Sequence, residues 1–397
     1  MSNLEELIEK LCPGGVEYKE IGEIYTRLRG TPITAGKMKE IQNDNGDIKV
    51  FAGGKTIINA FEQDIPRANI TRVPSVLVQS RGVIDFVFYD KPFTFKNEMW
   101  AYTADTVTEV KFLYYVLKNN VQHFKEAASG MGSLPQISLK VTENFKLPVP
   151  PLEVQREIVR ILDNFTFLTT ELAAELAARQ KQYEYYRDKL LTPKAEIKTV
   201  ELGEVCTFVR GPFGGALKKE IFKPHGYAVY EQQHAIYRTL DFRYFIDKKK
   251  FDELKRFSIK PGDMIVSCSG TIGKTFIIPE DAPEGVINQA LLKLTPHDEL
   301  NVFYLQYFFE NTISKELNGV ARGGAIKNVP SVSELKAIKI PVPSLDVQER
   351  LVQVLDNFDA ICSDLNIGLP AEIEARQKQY EYYRDKLLTF KELKKEA

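Results

Sequence analysis

The segment of this sequence that most resembles a reactive site is CSGTIGKT, at residues 268–275. It ends like a phosphate-binding P-loop, in which backbone amides and a lysine hold the phosphates of a nucleotide. That motif requires a glycine where Cys268 stands and a helix where the following FIIP has the composition of a strand. We therefore interpret the segment as the tip of a β-hairpin that carries Lys274, with nucleotide binding as the less favoured alternative.

Residues that could bind metals or act as nucleophiles are scattered along the chain. The four cysteines lack C-x-x-C spacing and the four histidines do not cluster with them; they are Cys12, Cys206, Cys268, Cys362, His123, His225, His234 and His297. We interpret all of them as reduced or packing residues, so that no metal site is predicted. The sequence also lacks G-x-S-x-G, H-E-x-x-H, a dinucleotide fingerprint and an Asn/Asp-Pro-Pro-aromatic run. It therefore predicts neither a catalytic centre nor a cofactor in this chain.

Composition and charge indicate a globular protein. The chain has 397 residues and a net charge of −1, enough length for two domains of about 150 residues. We find no signal-peptide pattern at the start and no run of about 18 apolar residues, so we expect a cytoplasmic protein. Acidic residues exceed basic ones only in two tail segments defined below. Any basic surface must therefore be local to the larger domains.

The chain contains an internal duplication. The fifteen residues ARQKQYEYYRDKLLT occur at 178–192 and again at 375–389 without a mismatch. Upstream, FKLPVPPLEVQREIVRILDNF at 145–165 resembles IKIPVPSLDVQERLVQVLDNF at 338–358. A repeat this long is not a solenoid unit, so it indicates two tandem copies of a domain with a helical tail.

The tails have a helical pattern. Apolar and aromatic residues recur at steps of three and four from Ile158 to Leu190, and the proline-rich PVPPLEV and PVPSLDV are suited to ending a strand and starting a helix. Helices of about 40 residues exceed what a globular core requires, so we expect the two copies to pair as an antiparallel coiled coil. The first copy carries a tandem ELAA at 171–178, whereas the second contains Gly368 and Pro370. We expect the first helix to be continuous and the second to be kinked or broken near Gly368.

The two large domains have the pattern of mixed α and β structure. Residues 75–90 and 263–279 each form two β-rich runs about a glycine, which predicts hairpins. A helical segment and a glycine-rich loop follow each hairpin. The predicted fold is α+β: two tandem mixed domains separated by two long helices, with pseudo-two-fold symmetry. The boundaries are 1–151 for the first domain, 152–192 for the central helical region, 193–344 for the second domain and 345–397 for the C-terminal helical region.

Together, the duplicated tail, the LPVPPL and IPVPSL entries, the ELAA tandem and the GTIGKT hairpin resemble the specificity subunit of a type I restriction-modification system, over the whole chain. This resemblance implies two target recognition domains that each read half of a bipartite DNA sequence, with helical regions that act as spacer and docking surface. It also implies two modification subunits carrying S-adenosylmethionine and the catalytic motifs, and restriction subunits that join them. The chain itself would then bind double-stranded DNA without catalysis.

Under this resemblance, the candidate DNA contacts are side chains suited to base edges and phosphates. They are Lys37, Lys55, Gln79, Arg81 and Gln136 in the first domain, and Gln232, Gln233, Ser269, Lys274, Arg322 and Lys327 in the second.

The repeated aromatic residues of the tails exceed what one helical stripe needs, so we expect some to face a partner protein. These candidates are Tyr183, Tyr185, Tyr186, Arg187, Tyr380, Tyr382, Tyr383 and Arg384. Two other functions remain open at this point: a two-domain scaffold that binds no nucleic acid, and a stand-alone enzyme. Salt-dependent DNA binding would argue against the scaffold, and turnover by the purified chain would support the enzyme.

Overall fold

The computed structural model describes residues 2–129, 134–192, 196–213, 215–269, 271–320 and 331–393. The chain divides into two compact units. Unit 1 comprises Met1–Ala174 and Glu372–Ala397, and unit 2 comprises Glu175–Ala371. Unit 1 is therefore assembled from both ends of the chain, whereas unit 2 is one contiguous segment.

Unit 1 combines short strands with helices. Its strands are β1 (Glu17–Glu20), β2 (Thr26–Arg29), β3 (Ile48–Phe51), β4 (Ile57–Ala60), β5 (Ser75–Gln79), β6 (Asp85–Tyr89), β7 (Phe93–Phe95), β8 (Trp100–Thr103) and β9 (Lys146–Val149). Its helices are α1 (Ser2–Leu11), α2 (Ile21–Ile24), α3 (Ala35–Ile41), α4 (Val107–Asn119), α5 (Val121–Glu126), α6 (Leu139–Glu143) and the first part of α7 (Leu152–Leu191).

Unit 2 has a similar series. Its strands are β10 (Thr199–Glu201), β11 (Cys206–Arg210), β12 (Tyr227–Tyr230), β13 (Phe245–Ile246), β14 (Met264–Ser267), β15 (Thr275–Ile277), β16 (Gly285–Ile287), β17 (Leu291–Pro296) and β18 (Lys339–Pro341). Its helices are α8 (Leu202–Val205), α9 (Gln232–Tyr237), α10 (Lys248–Glu253), α11 (Val302–Val320), α12 (Val332–Lys336) and α13 (Leu345–Ser363), after which α14 (Leu369–Leu387) returns to unit 1.

The two units share one sheet topology. Unit 1 has a four-stranded sheet of order β2-β8-β5-β6, a three-stranded sheet of order β4-β3-β7 and a β1-β9 pair. Unit 2 repeats these as β11-β17-β14-β15, β13-β12-β16 and β10-β18. In both three-stranded sheets the central strand pairs in parallel with the later strand, β3 with β7 and β12 with β16. The duplication seen in the sequence is thus a duplication of folded domains.

Both predicted hairpins are confirmed. Strands β5 and β6 pair antiparallel, with Val76 opposite Phe88, and β14 and β15 pair antiparallel, with Met264 opposite Ile277. Each turn contains a glycine at positive φ, Gly82 at 82° and Gly273 at 78°, where a side chain would be strained. The segment that resembled a P-loop is therefore a hairpin turn followed by a strand.

Packing of a helix on the four-stranded sheet forms the main core of each unit. In unit 1 a capping box begins α4, because Thr106 accepts the N–H of Glu109 and the Glu109 carboxylate accepts the N–H of Thr106. The buried face of α4 includes Phe112, Leu113 and Val116. In unit 2 the equivalent helix α11 buries Tyr304, Leu305, Phe308 and Phe309. No helix among the described residues is both long and apolar enough to cross a membrane.

The tails follow the predicted pattern. Helix α7 is continuous over 40 residues, whereas the second tail is divided into α13 and α14, each of 19 residues. The break lies at Gly368, whose N–H donates to the Asp364 carbonyl at 3.1 Å. A Cβ at this position would lie 2.4 Å from the Ala360 carbonyl oxygen, so the close approach of the two backbones requires glycine.

The two tails contact each other within each unit. In unit 1 the ring of Phe165 in α7 stacks on Tyr383 in α14 at 5.6 Å. In unit 2 the corresponding Phe358 in α13 stacks on Tyr186 in α7 at 6.0 Å. Each unit therefore contains the start of one tail and the end of the other.

Each tail is also fixed to the domain that precedes it. The hydroxyl of Tyr115 in α4 donates to Asp163 Oδ1 at 2.6 Å, and that of Tyr307 in α11 donates to Asp356 Oδ1 at 2.7 Å. The two hydrogen bonds occupy equivalent places in the two units. The two halves of the chain therefore share this tyrosine–aspartate hydrogen bond between domain and tail, as well as the apolar contacts.

The two ends of the chain pair in unit 1. The N–H of Val16 donates to the Lys391 carbonyl at 2.9 Å, and the N–H of Leu393 donates to the Val16 carbonyl at 2.8 Å. Leu387 and Leu388 join the same core as Val154 and Leu162. The C-terminal segment is therefore a structural part of unit 1.

Candidate nucleic-acid interface

Three turns that are far apart in sequence meet at one edge of unit 1. We call them tip 1: residues 53–55 between β3 and β4, residues 80–82 between β5 and β6, and residues 134–136 before α6. The N–H of Gly54 donates to the Arg81 carbonyl at 3.0 Å, and that of Gly82 donates to the Pro135 carbonyl at 2.8 Å. Arg81 and Gln136 also form a β-bridge. Backbone hydrogen bonds thus hold the three turns together.

Tip 1 brings together three of the five residues predicted in the first domain. Lys55, Arg81 and Gln136 are all exposed there. Among the described residues, neither Lys55 nor Arg81 has an ion-pair partner, so both cations are available to an anionic ligand. A cationic surface of this kind suits DNA phosphates and guanine edges.

The other two predicted residues of the first domain have different surroundings. Gln79 is only 5 % exposed, at the end of the buried strand β5, so it is not part of the accessible surface. Lys37 lies on α3, where its Nζ is 2.8 Å from Glu40 Oε1. Neither position contributes a free polar group to tip 1.

The equivalent edge of unit 2, tip 2, comprises residues 231–233 at the start of α9, residues 268–269 and 271–274 of the β14–β15 turn, and Asn288 after β16. Ser269 Oγ donates to Gln232 Oε1 at 2.9 Å, which joins the first two segments. Gln233 Nε2 donates to the Asp241 carbonyl at 3.3 Å. Tip 2 therefore brings Gln232, Gln233 and Ser269 together. The sequence alone does not show that these residues are close.

Lys274 is exposed in the β14–β15 turn. Its backbone N–H donates to Ser267 Oγ at 3.0 Å, and Ser267 Oγ donates to the Thr271 carbonyl at 2.6 Å. The buried Ser267 therefore fixes the backbone of the turn at Lys274, whose side chain is exposed. The predicted residues Arg322 and Lys327 lie outside the described residues.

One position that the sequence analysis missed occurs at both edges, and we add Lys96 to tip 1 because it binds Phe51, the last residue of β3 before the turn at 53–55. The N–H of Lys96 donates to the Phe51 carbonyl at 3.0 Å, and that of Asn288 donates to the Tyr230 carbonyl at 2.9 Å. Both residues directly follow the strand paired in parallel with the central strand. Lys96 is in an ion pair with Glu98 at 2.8 Å, whereas Asn288 carries an uncharged amide. An alignment of β7 with β16 would have identified Lys96 and Asn288 as equivalent positions.

The cysteines behave as packing residues. All four are buried, and burial raises the pKa of the Cys206 thiol to about 12 and that of Cys268 to about 11. Such thiols remain protonated and unreactive at neutral pH. Among the described residues, no group of His, Cys, Asp and Glu side chains could hold a metal ion.

The aromatic residues of the tails fall into two classes. Tyr183 and Tyr186 stack on Phe358, and Tyr380 and Tyr383 contact Phe165. These four tyrosines therefore contribute to the contact between the tails.

The remaining tail candidates differ. Tyr185 is 60 % exposed and Tyr382 is 64 % exposed, at identical positions of the repeat. Arg187 lies over the Tyr183 ring at 5.4 Å, and Arg384 lies over the Tyr380 ring at 5.6 Å, so each arginine covers the packed tyrosine of its own helix. Tyr185 and Tyr382 are therefore the most exposed of the candidate tail tyrosines, one in each unit.

Comparison with known proteins agrees with this geometry. The family described as "Type I restriction modification DNA specificity domain" matches the chain twice, at residues 13–179 and 194–375. The chain is 32% identical to the Escherichia coli type I restriction enzyme EcoR124I/EcoR124II specificity subunit, over 98% of this chain and 97% of that protein. It is 36% identical to a putative type I restriction enzyme specificity subunit of Haemophilus influenzae, over 98% and 100%.

Solved structures show the same fold. A type I restriction-modification S subunit from M. genitalium matches with a TM-score of 0.52 and 17% identity, over 94% of this chain and 95% of that one. The HsdS subunit from Thermoanaerobacter tengcongensis matches with a TM-score of 0.51 and 17% identity, over 95% and 97%. Since the family matches both halves, in which the same sheets and tips recur, the chain belongs to the family of type I restriction-modification DNA specificity subunits.

Proposed function

We propose that this chain is the DNA sequence-recognition subunit of a cytoplasmic type I restriction-modification complex, in which domains 1–151 and 193–344 each read one half of a bipartite target. The observation that carries the proposal is that one fold occurs twice with different side chains at the same edge: Lys55, Arg81 and Lys96 at tip 1, and Gln232, Ser269 and Asn288 at tip 2. Two domains with the same backbone fold can approach the two half-sites in the same orientation, while their different side chains select different bases.

Within this proposal the cations and amides have separate roles. Lys55 and Lys274 are suited to phosphates, which set the position of the protein on the duplex. Arg81 is suited to a guanine edge, because its guanidinium can donate to N7 and O6 together. Gln136 lies beside Arg81 and would contact the same or the adjacent base pair. Arg322 and Lys327 stay in the proposal as further contacts of the second domain.

The helical regions 152–192 and 345–397 would set the distance between half-sites and bind the partner subunits. Tyr185 and Tyr382 support this role, because two identical exposed aromatic positions offer two equivalent docking surfaces. We infer one modification subunit at each, with S-adenosylmethionine bound in those subunits, and restriction subunits joining the assembly. The chain itself would supply recognition and no catalysis.

The first experiment separates DNA recognition from a scaffold function. The chain, in complex with its modification subunits, should bind duplex DNA with an affinity that falls steeply as salt increases, and selection from random duplexes should return a bipartite motif. Arg81→Ala should relax one half of that motif only. Arg72→Ala, which removes an arginine paired with Glu62 at 2.6 Å, is the matched control and should leave the motif unchanged. Binding that is independent of both salt and sequence would contradict the proposal.

The second experiment concerns the division of labour. Calorimetry with the isolated chain should show no binding of S-adenosylmethionine, and size determination of the reconstituted assembly should give two modification subunits per chain. Micromolar binding of the methyl donor by the isolated chain would support a stand-alone enzyme instead.

A further inference from the structure

A further loop of unit 2 lies at the same sheet edge as tip 2. Strand β11 ends at Arg210, opposite Leu292 near the start of β17, and the end of β14 pairs with the same part of β17. The ends of β11 and β14 and the start of β17 therefore meet at one edge of the four-stranded sheet. The loop after β11, residues 211–213 and 215–217, thus adjoins the segment around Asn288 and the β14–β15 turn.

The backbone on both sides of Phe213 in this loop is fixed. The N–H of Gly211 donates to the Leu291 carbonyl at 3.0 Å, and a Cβ at Gly211 would overlap the Asn288 carbonyl oxygen. The loop therefore runs in contact with tip 2. On the other side, the N–H of Ala216 donates to the Phe213 carbonyl at 2.9 Å, and Ala216 packs against a buried apolar cluster of unit 2.

The side chain of Phe213 takes no part in this packing. It is 94 % exposed, the largest fraction of any large apolar side chain among the described residues. Single exposed apolar side chains are common on protein surfaces, and a ring in this state contributes no burial to the fold. Because the backbone on both sides is anchored, however, the fold holds this ring in solvent. Such a placement indicates contact with another molecule.

Three cations flank Phe213 in the chain. Arg210 lies at the end of β11, and Lys218 and Lys219 follow the loop; all three are exposed. Among the described residues, none of the three has an ion-pair partner. Lysines beside an aromatic ring are a poor match for the core of a protein interface, where lysine is depleted. They match DNA, in which cations bind phosphates and an apolar ring can contact the stacked bases.

Unit 1 has no aromatic residue at the corresponding place. Strand β2 corresponds to β11 in the shared topology, and it also ends at an arginine, Arg29. The next three residues are GTP at 30–32 in unit 1 and GPF at 211–213 in unit 2. The arginine is therefore common to both units, whereas the ring is present in unit 2 alone.

We propose that Phe213 inserts into the base stack of the DNA bound by unit 2 and unstacks one base step, while Arg210, Lys218 and Lys219 bind the neighbouring phosphates. A phenyl ring has no hydrogen-bonding group, so it cannot read the donors and acceptors of a base edge. It can separate adjacent base pairs and kink the duplex, as apolar wedges do. The inference rests on the proposed function and extends it from the reading of bases to deformation of the duplex.

This deformation would help the modification step. DNA methyltransferases must extrude their target base from the duplex, which costs unstacking energy. A base step that is already unstacked by Phe213 lowers that cost for a neighbouring base. The ring would thus act on the DNA without selecting its sequence.

The test measures the bend of a duplex that carries the selected motif, by energy transfer between dyes at its two ends. The duplex is bound by the complete complex of this chain with its modification subunits. The wild type should kink the duplex by about 20–90°. Phe213→Ala should remove most of this kink and weaken DNA binding by about tenfold. The selected motif and the salt dependence of binding should not change, because neither a charge nor a hydrogen-bonding group is lost.

Two further variants make the test specific. Phe303→Ala is the matched control, because Phe303 is another exposed phenylalanine of unit 2, at 50 %, but lies in α11, which follows the other end of β17. It should change neither the bend nor the affinity. Phe213→Leu keeps an apolar wedge and should retain most of the bend.

Three results would overturn the inference. The first is a duplex that stays straight with the wild type, or equally bent with Phe213→Ala. The second is loss of one thymine from the motif of that variant, which would place the ring against a methyl group in the major groove. The third is weaker binding of the modification subunits to Phe213→Ala without DNA, which would show that the ring faces a protein. Absence of salt-dependent, sequence-specific DNA binding by the wild type would instead refute the proposed function.

Discussion

His234 is the buried residue on which the geometry of tip 2 depends. Burial lowers the pKa of its imidazole below 6.5, whereas the carbonyls of Glu231 and Asp241 oppose that shift. Because its Nδ1 accepts the N–H of Glu231, the neutral ring is the form that fits. Protonation of Nδ1 would remove the acceptor of that N–H, and the new Nδ1–H would have to turn to the Glu231 carbonyl oxygen, 3.0 Å away.

This predicts a pH dependence of stability. The folded pKa lies below the unfolded value, so the unfolded chain binds the proton more readily. The stability contributed by neutral His234 is present above about pH 6.5 and is lost as pH falls through the folded pKa. Wild-type protein should therefore lose more thermal stability between about pH 7.5 and pH 5.5 than His234→Gln does. Melting curves at the two pH values measure this, and equal losses in both proteins would count against it.

The side-chain types in the sequence pointed to many of the candidate surface residues. They did not show which of these residues lie together. Lys55, Arg81 and Gln136 come from three separate turns, and their meeting depends on long-range hydrogen bonds that no local pattern encodes. Gln79 has a suitable side chain, but the central strand β5 is covered on both faces. Asn288 was missed because it follows a three-residue strand without a hairpin signal.

At the scale of elements, the tails were the most predictable part. Their periodicity, the prolines before α7 and α13 and the break at Gly368 are local signals. The parallel pairing of β3 with β7 was not predicted, because these strands are short and distant in sequence. The long helices could therefore be placed from residues alone, whereas the small sheets required the structure.

Gly368→Ala should destabilise the junction of α13 and α14. The new Cβ would meet the backbone oxygens of Ala360 and Asp364 at 2.4 and 2.8 Å, so the backbone must shift, at a cost of about 1–3 kcal/mol. Denaturant unfolding measures the loss. Gly36→Ala in α3 is the matched control, since its Cβ would have no neighbour within 4 Å, and it should be neutral or slightly stabilising. An equal effect of both variants would show that the junction tolerates a side chain.

Duplicating residues 171–174 once more would lengthen α7 by four residues. Residues 171 and 173–175 are exposed, so the insertion disturbs little packing. It adds about 6 Å of helix length and about 40° of rotation beyond a full turn, whereas a base pair adds roughly 3.4 Å of rise and about 35° of twist. Because each domain must stay in phase with its groove, the gap between half-sites should grow by one base pair, or at most two. Sequencing the methylated sites tests this, and an unaltered gap would mean that α7 does not set the spacing.

At the scale of the whole molecule, replacing residues 193–344 with the equivalent segment of another specificity subunit should change one half of the target only. The replacement must keep the contacts to α13, in particular a tyrosine at the Tyr307 position to donate to Asp356 and a backbone N–H at Asn301 to donate to Gln348 Oε1 at 2.8 Å. Methylation mapping of the hybrid reads the result. A change in both halves would show that the domains do not read independently.

The pairing of residue 16 with residues 391 and 393 has a consequence for synthesis of the chain. A ribosome makes the first 174 residues of unit 1 long before it makes α14, so the core that contains Val154 and Leu162 lacks Leu387 and Leu388 during most of translation. Unit 2 is contiguous and can be completed on the ribosome first. The nascent chain therefore carries an incomplete apolar core until α14 has been translated, and termination before that point would leave this core open to aggregation.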